Sequence, residues 1–126
     1  MKKILFIICI FIFIFIAISL ASYICARIFY GIKMDEATVS WKNGDIHRAI
    51  IQYEKIPYLI YPAADENLFE IHADRKYKVN DVQKAFSYIK KYDCKKQGAL
   101  INGAINHYGL SNSDRYYLIN KLSECI

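Results

Sequence analysis

The run from Ile4 to Ala26, ILFIICIFIFIFIAISLASYICA, contains no charged residue, and it constrains this chain more than any other feature. As a helix it would extend roughly 34 Å, against a hydrocarbon layer of about 30 Å. Such a segment reads either as a membrane anchor or as a signal that is removed. The rest of the sequence is enough for one small domain.

Removal would make the segment a secretory signal, with Lys2 and Lys3 as its basic start and Ser19-Leu20-Ala21 as an acceptable cleavage site. Signal cores usually run about 7–15 residues, and Ile4 to Ile18 alone reaches that upper limit. A lipoprotein box is missing, because Ser22-Tyr23-Ile24 precedes Cys25. The length favours an uncleaved anchor over residues 1–33, followed by a folded domain over 34–126.

The charge distribution agrees with that division. The net charge is +5, but residues 1–33 hold Lys2, Lys3, Arg27 and Lys33 and no acid. The domain is nearly balanced. The basic excess therefore sits where positive charge meets lipid headgroups. A nucleic-acid reader would need a basic stripe on the folded domain, whereas Lys90 to Lys96 is a short patch around Tyr92 and Asp93. No nucleic-acid partner is expected. With Lys2, Lys3 and the terminal amine on one side, the positive-inside bias puts the N-terminus in the cytoplasm. In a bacterium the protein would then cross the inner membrane once and hold its domain in the periplasm.

After Asp35 the chain reads as helices. Asp45 is positioned to cap a run with Ile46, Ala49, Ile50, Tyr53 and Ile56 on one face, ending at Pro57. Asn80-Asp81 opens a second run with Val82, Ala85, Phe86 and Ile89, and Ser111 to Asp114 opens a third with Tyr117, Leu118 and Leu122. Pro62 to Lys78 and Gln97 to Tyr108 are compatible with further helices. No stretch alternates with period two, so the expectation is all-α, with about five or six helices.

A shift of about 36 residues lays Gly44-Asp45-Ile46-His47-Arg48-Ala49-Ile50 over Asn80-Asp81-Val82-Gln83-Lys84-Ala85-Phe86, a spacing in the range of helical repeats. The same shift aligns Ala37 with Ala73 and Trp41 with Tyr77. Trp41-Lys42-Asn43-Gly44-Asp45, then Ala49, Tyr53, Ile56 and Pro62, resembles the second half of a tetratricopeptide repeat. Phe69, Ala73, Asn80-Asp81 and Ala85 resemble a second unit, with Ile89 where the pattern has an aromatic. Leu100, Gly103 and Tyr108 are all that mark a third. The resemblance implies a small stack of antiparallel helix pairs that binds another protein. It also implies that Trp41 and Tyr77, near the ends of successive first helices, face the binding groove.

Little points to chemistry. Cys9 and Cys25 lie in the apolar run, and Cys94 and Cys125 show neither paired nor zinc-type spacing. An extracytoplasmic domain favours a Cys94–Cys125 disulfide over a catalytic Cys94 paired with His107. His47, His72 and His107 are scattered. Glu70-x-His72-x-Asp74 is no metal edge, since only the first and last share a helix face. No enzyme, metal or cofactor is expected. The functional expectation is a membrane-anchored scaffold or adaptor held to the bilayer through residues 4–26. The alternative is a small immunity protein that neutralises a toxin.

Overall fold

The computed structural model describes residues 1–125 of the chain. These form six α-helices, one 3-10 turn and no strands. The helices are α1 (Lys2–Lys42), α2 (Ile46–Glu54), α3 (Ala63–Ala73), α4 (Val82–Ile89), α5 (Cys94–His107) and α6 (Asn112–Cys125), with the 3-10 turn at Arg75–Tyr77.

The division expected at residue 33 falls inside α1, which runs without a break from the apolar segment into the domain. Between Ala26 and Lys42 only Gly31 has poor helix propensity, and one glycine costs about 1 kcal/mol, too little to stop a long helix. The last turns of α1 carry Tyr30, Met34, Ala37 and Trp41 at helical spacing, and this stripe packs with Ala49, Ile50 and Tyr53 of α2. The N-terminal part of α1 is exposed along its whole apolar length, and the helix is long and apolar enough to cross a membrane.

The helices alternate in direction. Gly44, at φ +84°, turns the chain from α1 into α2. Thr38 Oγ1 and Tyr53 Oη lie 2.8 Å apart, and Ser40 Oγ donates to Gln52 Oε1 at 2.7 Å, which sets an antiparallel register. In α3 and α4, Lys91 Nζ beyond the end of α4 meets Asp65 Oδ2 near the start of α3 at 2.6 Å. In α5 and α6, the first residue of one and the last of the other, Cys94 and Cys125, form a disulfide with Cα atoms 5.7 Å apart. Cys94 therefore opens α5. The third pair seats α6 against α4 and α5 against α3.

Aspartates set three of the helix starts. Asp45, Asp81 and Asp93 each accept from the amide three residues on, those of Arg48, Lys84 and Lys96. Each cap satisfies a backbone donor that the helix leaves unpaired. Ser111 does the same for Asp114. The core falls into two clusters, one around Ala37, Ala49, Tyr53, Leu68 and Ile71, the other around Phe69, Ala73, Ala85, Ile89, Ile101 and Leu118. Ala37 and Ala49 are fully buried in the first, and Ala73 and Ala85 are fully buried in the second.

A bulky side chain at either second-helix alanine must overpack its cluster. Ala49→Leu and Ala85→Leu should each destabilise the protein by about 1–3 kcal/mol. Chemical denaturation of the full chain in detergent measures this, and unchanged midpoints for both would contradict the packing described.

Candidate functional site

Trp41 occupies the last turn of α1 and Tyr77 ends the 3-10 turn after α3. Their ring centroids lie 5.5 Å apart and the planes meet at 59°. Trp41 also stands edge-on to the buried Tyr53, with centroids 6.1 Å apart at 87°. Three aromatic rings from three elements thus form one continuous unit. Both Trp41 and Tyr77 stay half-buried, so each keeps part of its face in solvent.

The local backbone explains the placement of Tyr77. Helix α3 stops at Ala73 because Asp74 adopts an extended ψ, and the Asp74 carboxylate then accepts from the Lys76 amide at 3.0 Å. That interaction closes a tight turn and brings Tyr77 back towards α1. Lys78 follows at φ 62°, a left-handed conformation that costs a non-glycine residue about 1 kcal/mol or more. Asn80 Nδ2 secures the return by donating to the Ala73 carbonyl at 3.0 Å.

The two rings line a shallow groove with Thr38, Lys42 and Glu70. Burial raises the pKa of the Glu70 carboxyl; the neighbouring Asp74 reinforces the shift and Lys76 opposes it. Lys76 Nζ also lies 4.9 Å from the Tyr77 ring centroid. The groove therefore offers two rigid aromatic rings, the carboxyl of Glu70 and two lysines, Lys42 in its lining and Lys76 beside Tyr77, a set suited to gripping a side chain.

The remaining candidates are dispersed. Cys94 is tied to Cys125, and His107 ends the same helix that Cys94 begins, about 20 Å away along its axis. Asp74 is committed to its turn. His72 is buried, its Nδ1 3.3 Å from the Val79 carbonyl and its ring stacked on Tyr88 with centroids 5.6 Å apart. Its Nε2 has no hydrogen-bond partner. His47 is exposed on α2. Compared with known protein families, curated proteins and solved structures, the chain gives no match.

Burial lowers the His72 pKa below its ordinary value of 6.5, an effect that the Val79 carbonyl only partly offsets. The unfolded chain therefore binds a proton before the folded protein does. Stability is complete above pH 6.5 and declines as the pH falls through the folded value. His72→Phe keeps an aromatic ring against Tyr88 and removes the titration. Melting of the native chain should drop further than that of His72→Phe between about pH 7 and about pH 5. Parallel curves for the two proteins would show that His72 is not held neutral.

Proposed function

We propose that the chain is a membrane-anchored helical domain that binds another protein through the Trp41–Tyr77 face. The observation that carries this reading is the aromatic unit itself: two half-exposed rings held by three elements, at the end of a helix whose other end is apolar. Rigid aromatics lose little conformational entropy on contact and bury large area, which makes them effective anchors. The pairing of α1 with α2 and of α3 with α4, with capping Asp45 and Asp81 and buried Ala49 and Ala85 at matching positions, supports a tetratricopeptide-like stack.

In this reading the uncharged part of α1 crosses the bilayer with Lys2 and Lys3 in the cytoplasm. The Cys94–Cys125 bond favours an oxidising compartment for the domain, the periplasm in a bacterium. It closes a 31-residue separation and, on the chain-entropy account, contributes roughly 3–4 kcal/mol. The action is scaffolding. Tethering confines the domain to the layer next to the membrane and raises the effective concentration of a membrane partner.

Photo-cross-linking in the native membrane tests the face directly. Benzoylphenylalanine replacing Trp41 or Tyr77 in the full chain should give one shared protein adduct. The same group at Tyr116, an exposed aromatic on α6, should not. Identical adducts from all three positions, or none from the first two, would sink the assignment. In the same cells a phosphatase fused to the C-terminus should be active, whereas an inactive fusion would reverse the orientation.

A further inference from the structure

The alternation of helix directions brings a second end of the domain next to Arg27, the first charge after the apolar run. The connection between α2 and α3 lies there. Arg27 Nη1 donates to the Ile60 carbonyl at 2.8 Å, and the Tyr61 hydroxyl donates to the Arg27 carbonyl at 2.9 Å. The guanidinium stands 4.2 Å from the Tyr61 ring centroid. Gly31 makes this approach possible, since a Cβ there would stand 2.9 Å from the Tyr61 hydroxyl oxygen. A glycine that weakens α1 thus lets the connection clasp it.

The tip of that connection is Leu59, 84% exposed, more than any large hydrophobic side chain of the apolar run, where Phe13 reaches 74%. An isolated exposed leucine is ordinary on a protein surface. This one lies beside a residue that would occupy the headgroup layer. The connection between α4 and α5 joins it, because the Tyr92 hydroxyl donates to the Pro62 carbonyl at 2.9 Å. Lys91 and Lys96 occupy the local acids, Asp65 and Glu66, at 2.6 and 2.7 Å. Asp93 is the cap of α5. Lys90 and Lys95 are exposed and have no carboxylate partner among the described residues. The net result is an apolar tip beside cations that have no carboxylate partner among the described residues.

We propose that this end of the domain, with Leu59 at its tip and Arg27, Lys90 and Lys95 beside it, rests in the headgroup layer of the bilayer that α1 crosses. The inference rests on the reading of α1 as a membrane span. Continuity with that span selects lipid as the occupant. An apolar tip enters the headgroup–acyl boundary, and lysines near an anionic leaflet are attracted to it. The seat also orients the domain. Trp41 lies 14 residues beyond Arg27 on the same helix, so the aromatic face stands about 21 Å further from the bilayer.

The test uses the full chain in phosphatidylcholine–phosphatidylglycerol vesicles, with Trp41→Phe as background so that one introduced tryptophan reports. Leu59→Trp should emit at shorter wavelength than Tyr116→Trp and be quenched roughly two-fold more by headgroup-nitroxide lipid. Adding Lys90→Glu and Lys95→Glu should reduce that quenching towards the Tyr116→Trp level. Because both leaflets carry the quencher, the direction of insertion does not matter. Equal quenching at positions 59 and 116, with the protein still in the vesicles after carbonate washing, overturns the seating and leaves the span standing. Release of the protein by carbonate overturns the span, and the seating with it.

Discussion

The packing of the last turns of α1 against α2 is the contact on which the rest of the structure depends. Tyr30, Met34, Ala37 and Trp41 bury one stripe of a helix whose preceding turns expose a long run of large apolar side chains. Because no break separates the two parts, the domain has no linker in which to move relative to the apolar segment. Whatever medium holds the first part of α1 therefore fixes the position of the domain, with Ala37 fully buried in the packed stripe. Helical stability in a folded protein comes mostly from packing one face, and the stripe against α2 supplies it for the last turns of α1.

From that junction the helices run alternately away from Arg27 and back to it, which gives the domain two unlike ends. One gathers the clasped α2–α3 connection, the lysines of the α4–α5 connection and the disulfide that closes α5 onto α6. The other gathers the turn between α1 and α2, the 3-10 turn after α3, and the Trp41–Tyr77 pair. Trp41 has both roles, since it packs against the buried Tyr53 and also lines the groove beside Tyr77. A substitution at Trp41 thus touches stability as well as contact, and Tyr77 is the cleaner reporter of the surface.

Local chemistry made much of this legible in the sequence. The uncharged run, the capping Asp45 and Asp81, and the missing two-residue period lead to an all-helical chain with one long apolar N-terminal helix. The division expected at residue 33 falls within α1, where Lys33 pairs with Glu36 at 3.4 Å on the surface of an unbroken helix. Asp93 is one acid inside a basic patch in the sequence, and in the structure it is the cap that starts α5. The clasp of Tyr61 on Arg27 joins residues 34 positions apart and has no local signature beyond an isolated Gly31. Repeat spacing aligns Tyr77 with Trp41, and the rings lie near one another, but Tyr77 arrives through a 3-10 turn rather than at the end of an α-helix.

The central claim is that α1 joins the apolar segment to the domain as one continuous helix. Hydrogen exchange across residues 20–42 of the full chain in lipid vesicles addresses it without any substitution. The account predicts slow exchange through Arg27, Gly31 and Lys33 into the packed stripe ending at Trp41. A segment of fast-exchanging amides between Ala26 and Met34, with protection on either side, would reveal a hinge between anchor and domain and contradict it.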